Sequence, residues 1–224
     1  MNYEAVSFDF NGTLVKDGPY HVEAWSRISE ELGNGPVSRE LMDTRYSGMP
    51  NAEILKLMKP GQSDEFYALW SEKKEAYYRE AFASTPGGPH LVTGAEELFG
   101  ILKAHQILFN LCSASIASNI RFYRETFHLD QWIDPDLIVY DDGSYENKIT
   151  MYEESGRRMH AGTRLLIFED ALSGIRSASA LSEAGLIVMR MKNLESVYPS
   201  YPKILRVIDD FTEILPDIMP ILLG

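Results

Sequence analysis

Val6-Ser7-Phe8-Asp9-Phe10-Asn11-Gly12-Thr13-Leu14 is the stretch on which the reading of the whole chain turns. Ala5, Val6 and Phe8 are strand formers, and Gly12 frees the backbone to bend just after Asp9 and Asn11, two side chains able to hold a cation. The plainest account is an Asp/Asn/Gly turn closing a strand. The alternative is an Asp at the carboxyl end of the first strand of an α/β sheet, the edge where ligands bind in such folds. The partners available elsewhere in the chain decide between the two.

Composition narrows the field first. A chain of 224 residues, 45% hydrophobic and 24% charged, suits one sizeable core plus a smaller module. The net charge of −12 argues against nucleic acid and against anionic membrane surfaces as partners. An anionic small substrate stays compatible with it if a metal ion and a few cations reverse the field locally. The single cysteine, Cys112, excludes an intrachain disulfide framework and fits a reducing, cytoplasmic setting. The first strand begins within a few residues of Met1, so no leader is expected, and the apolar tail is cut by Pro216, Asp217 and Pro220.

Beyond a polar Gly18-Pro19 hinge, helical periods run without strand alternation. Val22, Trp25, Ile28 and Leu32 share one face, with Gly33 as a stop. A loop is expected around Tyr46-Ser47-Gly48-Met49-Pro50, and Ser63-Asp64-Glu65 reads as a helix cap. Breakers gather at Ser84-Thr85-Pro86-Gly87-Gly88-Pro89. Residues 17–88 are therefore expected to form a helical domain inserted into a larger one made of 1–16 and 89–224. In the second part, helices are expected at Ala95–Ala104, Ser118–Phe127, Ile149–Met159 and Ser173–Ala184, the last stopped by Gly185. Between them lie the apolar runs Ile107–Leu111, Leu137–Tyr140, Leu165–Phe168 and Leu186–Met189; a short edge strand and a closing helix complete the tail. Such alternation predicts an α/β fold, a parallel Rossmann-like sheet sandwiched by helices, with the helical cap domain inserted.

In a parallel sheet the residues just past each strand converge on one edge. Here they are Asp9 and Asn11, Ser113, and Glu169-Asp170, with Lys148 starting the helix that leads to the fourth strand. Carboxylates, a hydroxyl and a lysine suit a hard divalent cation and a phosphoryl group, because magnesium takes oxygen ligands and shares them with substrate phosphate. Each has an ordinary account as well: Ser113 as a helix cap, Lys148 as a solvated lysine, Glu169 and Asp170 as acids at a helix entry. The five histidines show no zinc-ligand spacing, and Cys112, inside a strand, reads as a small buried residue.

Taken together, these segments resemble the haloacid dehalogenase-like phosphohydrolase superfamily. Asp9-Phe10-Asn11-Gly12-Thr13-Leu14 is similar to its first motif except at one position. Leu111-Cys112-Ser113-Ala114-Ser115 is similar to the second, Lys148 fits the third, and Phe168-Glu169-Asp170-Ala171-Leu172-Ser173-Gly174-Ile175 the fourth. Tyr20-His21-Val22-Glu23-Ala24-Trp25 resembles the cap start of the β-phosphoglucomutase-like branch. The resemblance implies a magnesium-dependent phosphatase of a small phosphorylated metabolite, a monomer or weak homodimer. Asp9 would be the nucleophile; Asp9, the Asn11 carbonyl and Asp170 would hold the metal, with Glu169 either a further ligand or a support behind the ligands. Ser113, Ala114 and Lys148 would bind phosphoryl oxygens, and His21 and Gly48 of the cap are candidate substrate contacts. A phosphosugar mutase, or a slow or non-catalytic binder of phosphometabolites, remains the alternative.

The departure lies at Asn11, where the family carries its acid/base Asp. An amide cannot exchange a proton at neutral pH, and general acid-base help is worth roughly 100- to 10,000-fold. Three consequences stay open. The substrate's leaving group needs no proton, as in acyl phosphates or anhydrides; His21 or Asp17 supplies the proton; or the protein is a slow catalyst or a binder.

Overall fold

The computed structural model describes residues 2–46 and 49–224, and the chain divides into two compact units. One comprises Met1–Lys16 with His90–Gly224, the other Asp17–Pro89.

The first unit is built on six parallel strands in the order β3-β2-β1-β4-β5-β6. They are β1 (Ala5–Phe8), β2 (Leu108–Ile116), β3 (Val139–Asp141), β4 (Leu165–Glu169), β5 (Gly185–Met189) and β6 (Ile204–Ile208). Every residue of β1, β4 and β5 is buried, as expected of strands covered on both faces. On one face Ala5, Cys112, Ile167 and Val188 pack with Met151, Tyr152, Ile175 and Ala178 from the covering helices. On the other, Phe8 stacks on Phe168 at 4.7 Å and meets Phe99, Phe109 and Phe211 edge-on. Period-2 alternation thus sends Phe8 to one side and Asp9 toward the other, and the pairing of Phe8 with both Leu111 and Phe168 fixes which residues end level with Asp9.

Helices are numbered along the chain. The helical unit holds α1 (Gly18–Glu31), α2 (Arg39–Leu41), a π-helical turn at Met42–Tyr46, α3 (Asn51–Met58) and α4 (Asp64–Ala83). Its core joins Trp25, Ile28, Val37, Tyr46, Ile54, Leu55 and Tyr67. Ser63 caps α4 by accepting from the Phe66 amide at 3.3 Å. The other unit carries α5 (Ala95–Ala104), α6 (Ala117–Thr126), α7 (Lys148–Arg158), α8 (Leu172–Ala180) and α9 (Ile218–Leu223).

Three elements differ from the sequence reading. Strand β2 continues past Leu111 through Ser113 to Ile116, with a register shift against β3 between Ser113 and Ile116. Ser113 therefore sits within the strand's irregular end and not after it. Helix α8 stops at Ala180, and Gly185 opens β5 instead of ending the helix. Its lack of a side chain serves close packing, since a Cβ there would run into the Tyr3 ring and hydroxyl. The loop expected around Tyr46 is partly π-helical; Ser47 and Gly48 lie outside the described residues.

Candidate active site

At the carboxyl edge of the sheet, β1 hands over to a turn that is tied to its neighbours by the main chain. The Asp9 amide donates to the Phe168 carbonyl at 3.0 Å, and the amides of Thr13 and Leu14 return to the Phe10 carbonyl at 3.2 and 2.8 Å. Gly12 has φ +80°, and a Cβ at that position would overlap the Asp170 carboxylate. The turn needs glycine twice over, for its conformation and for the approach of Asp170.

Asp9, Glu169 and Asp170 present carboxylate oxygens that all lie within 4.8 Å of one another, and all three residues are buried. Thr13 Oγ1 is 3.3 Å from Asp9 Oδ2 and 3.5 Å from Asp170 Oδ1, a single hydroxyl between two carboxylates. Lys148 enters from the first turn of α7. The start of that helix is fixed by a capping box in which Asn147 accepts from the Ile149 and Thr150 amides and Thr150 Oγ1 accepts from the Asn147 amide. From there Lys148 Nζ donates to Asp9 Oδ1 at 2.7 Å and to Glu169 Oε1.

Glu169 is enclosed completely. Its Oε1 accepts from Lys148 and from Tyr152 Oη at 2.9 Å, while Oε2 accepts from the Asp170 and Ala171 amides at 2.9 and 3.1 Å. A Cβ on Gly174 would collide with the same carboxylate, so α8 can start this close only with glycine there. With four donors on its two oxygens, Glu169 serves first to hold Lys148 and the start of α8.

The electrostatics follow from three acids gathered in a desolvated pocket. Burial pushes the Asp9 carboxyl up to about 7, with Glu169 adding to the rise against the pull of Lys148. Burial works against the Lys148 charge too, but Asp9 and Glu169 outweigh it and hold the ammonium well above its usual range. Three carboxylates around the Lys148 ammonium, with Lys16 interacting with Asp170, still leave the pocket short of positive charge. All the donors are hard oxygens, so the residues fit a small divalent cation. Cys112 is buried in β2 with its thiol pushed up to about 12 by burial, which removes it as a nucleophile.

The end of β2 reaches the same turn through a different contact. Ser115 Oγ donates to Asn11 Oδ1 at 2.8 Å, and Asn11 Nδ2 donates to Tyr123 Oη at 2.8 Å. Tyr123, on α6, is fully buried and stacks on Phe10 with ring centroids 3.9 Å apart. Ser113 is 1% exposed and its hydroxyl accepts from the Ser115 amide at 3.3 Å; Ala114 is exposed. Sequence reading missed Thr13, Ser115, Tyr123 and Tyr152. Tyr152 stands four residues after Lys148 on the same helix face, and Ser115 closes the quoted Ser-Ala-Ser run, so both left a signal. Tyr123 left none.

His21 belongs to the helical unit. Its Nε2 lies 3.3 Å from Asp17 Oδ2, its ring stacks on Tyr78 at 4.1 Å, and Lys74 Nζ is 2.9 Å from Nδ1. Tyr78 Oη donates to Asp17 Oδ2 at 2.6 Å, and Lys74 and Asn51 both donate to Glu75 Oε1, at 2.8 and 2.7 Å. Burial disfavours the Glu75 charge, yet Lys74 and His21 outweigh it and bring that carboxyl down to about 2. Gly48, the other cap residue named from sequence, lies outside the described residues.

Residues 3–181 match the haloacid dehalogenase-like hydrolase family, and the chain belongs to it. A phosphorylated carbohydrates phosphatase of Thermotoga maritima is 23% identical over 185 residues, 79% of this chain and 81% of that protein. Among solved structures, a haloacid dehalogenase-like hydrolase of family IA, variant 3, from Entamoeba histolytica superposes with a TM-score of 0.89 at 26% identity, covering 99% of this chain and all of that one. A β-phosphoglucomutase from Clostridium difficile gives 0.79 at 19% identity, covering 99% and 97%, a likeness of fold. None of the described helices is long and apolar enough to cross a membrane.

Proposed function

We propose that this chain is a magnesium-dependent phosphatase of a small phosphorylated metabolite, working through an aspartyl-phosphate on Asp9. The observation that carries the reading is the placement of Lys148 between Asp9 and Glu169, beside Asp170, at the carboxyl edge of the sheet. Lys148 turns one oxygen of Asp9 toward itself and stabilises the ionised form that attack requires. Bound magnesium would supply positive charge to the transferring phosphoryl group, held by the carboxylates of Asp9 and Asp170 and the main-chain carbonyl of Asn11. Glu169, its oxygens already committed, acts by fixing Lys148. Ser113, the Ala114 amide and Lys148 would receive the phosphoryl oxygens. The helical unit, with His21, serves as the cap that selects the substrate. The name of the Thermotoga relative supports a phosphorylated small molecule as substrate. A mutase reading is disfavoured because it needs a proton-exchanging group where Asn11 stands.

The test is turnover of phosphomonoesters, sugar phosphates and acyl phosphates with magnesium, by the wild type and by Asp9→Asn. Turnover abolished by the substitution supports the reading. No turnover of any substrate, with magnesium-dependent ligand binding retained, would make the protein a binder instead.

A further inference from the structure

Asn11 is held by both ends of its amide. The carbonyl accepts from Ser115 Oγ and the NH2 donates to Tyr123 Oη, each at 2.8 Å, so the side chain is clamped between β2 and α6. Neither end exchanges a proton in the accessible pH range. Tyr123 is sealed under Phe10 and occupied by Asn11, which keeps its hydroxyl from a departing group.

Other described proton-bearing groups around Asp9 have partners too, and Lys16 feels the Asp170 charge. Lys148 is shared by Asp9 and Glu169, Glu169 takes four donors, and Thr13 points its hydroxyl at Asp9 and Asp170. Asp170, packed on Gly12, belongs to the cation-holding cluster. Within the helical unit, Asp17 is 1% exposed and accepts from Tyr78, while His21 lies between Asp17 and Lys74. Both residues are thus engaged by partners of their own unit.

We propose that the clamped Asn11 restricts this enzyme to phosphoryl donors whose leaving group departs as a stable anion, acyl phosphates and phosphoric anhydrides, and excludes alkyl phosphomonoesters such as sugar phosphates. The inference rests on Asp9 as the nucleophile. In the first step an Asp9 carboxylate oxygen forms a bond to phosphorus. The bond from phosphorus to the acyl oxygen breaks, and a carboxylate leaves with the electron pair, needing no proton. In the second step a water oxygen bonds to phosphorus, the Asp9 oxygen leaves as carboxylate, and the water's proton ends on the inorganic phosphate. An alkyl ester would instead have to expel an alkoxide about as basic as hydroxide, whose parent acid has a pKa of about 15.7, against about 4 for a carboxylic acid.

The experiment measures kcat/KM with magnesium for acetyl phosphate, a series of ring-substituted aryl phosphates and a set of sugar phosphates. It uses the wild type, Asp9→Asn and Asn11→Asp. An Asp at this position can keep the Ser115 hydroxyl on one oxygen and carry its proton on the other, where the amide NH2 stood. The expected result is a kcat/KM that falls steeply with leaving-group pKa, with acetyl phosphate ahead of any sugar phosphate by more than about 100-fold. Asn11→Asp is expected to raise the sugar phosphate values relative to acetyl phosphate by about 100-fold. A wild-type series flat to within about 10-fold across leaving groups, abolished by Asp9→Asn, would overturn the inference while leaving the phosphatase intact. Turnover that survives Asp9→Asn, or no turnover even of acetyl phosphate, would overturn the nucleophile assignment and the inference with it.

Discussion

Replacing Lys148 with Met should destabilise the α/β unit and do so more strongly as pH rises. The lysine side chain is 16% exposed and makes its two bonds to Asp9 and Glu169, which are 8% and 0% exposed at the side chain. Methionine keeps most of the volume and removes only the charge. Glu169 retains Tyr152 and two amides, so the uncompensated charge falls mainly on Asp9, left with the Thr13 hydroxyl and the Phe10 amide. Breaking a buried ion pair from one side costs about 3–5 kcal/mol, and that range is expected for an ionised Asp9.

The pH dependence has a definite sign. The carboxyl of Asp9 in the folded protein, at about 7, lies above its ordinary 3.8, so its contribution is fully present below 3.8 and is lost as pH rises through about 7. Without Lys148 the carboxyl rises further, and at low pH it escapes the penalty by taking a proton. Urea unfolding of both proteins without divalent cations, followed by far-UV circular dichroism at pH 5.5 and pH 8, measures the difference. The gap at pH 8 is expected to exceed that at pH 5.5, by up to about 1.4 kcal/mol for each pH unit by which the loss of Lys148 raises the Asp9 carboxyl above its wild-type value of about 7, at unchanged m-value. A gap below about 1 kcal/mol at pH 8, or one that widens toward pH 5.5, would refute the account of Lys148 as the counter-charge of this pocket.

Gly12→Ala should lose metal-dependent activity and about 1 kcal/mol or more of stability, since the backbone sits at φ +80° and the new methyl meets Asp170; activity and urea midpoints report both. Gly174→Ala should cost about 1–3 kcal/mol, because the enclosed Glu169 carboxylate cannot move aside; a midpoint within error of wild type would contradict that packing. In the helical unit Glu75 has its carboxyl lowered from 4.5 to about 2, so its stabilisation is present above 4.5 and lost as pH falls through about 2. Glu75→Gln should therefore cost at most about 3 kcal/mol at pH 7 and converge on wild type in acid, as thermal melts at pH 7 and pH 3 would show. Magnesium should raise the melting temperature of the wild type and have little effect on Asp170→Asn, and a chelator should reverse the rise.

Much of the candidate site is legible in the amino-acid sequence alone. Asp9, Ser113, Lys148 and Glu169-Asp170 can be collected because apolar strands announce their own ends, and parallel topology sends all those ends to one edge. What each carboxylate does is not legible there. Glu169 and Asp170 are adjacent in sequence, yet one is enclosed by four donors while the other faces Gly12 and Thr13. Alternation along a strand tells which side a residue takes; it carries no information about which distant donor fills that space.

By itself, the sequence determined the parallel α/β architecture, the helical stretch that interrupts it, and an amide that exchanges no proton at position 11. These follow from local properties: period, breaker residues and side-chain chemistry. Only the tertiary structure decided that Gly185 opens a strand, that β2 carries Ser113 in its irregular end, and that Asn11 is locked between Ser115 and Tyr123. Those partners lie 104 and 112 residues away along the chain. Hydrogen bonds over such separations leave no periodic trace, because they are made by the fold after the local elements are already set.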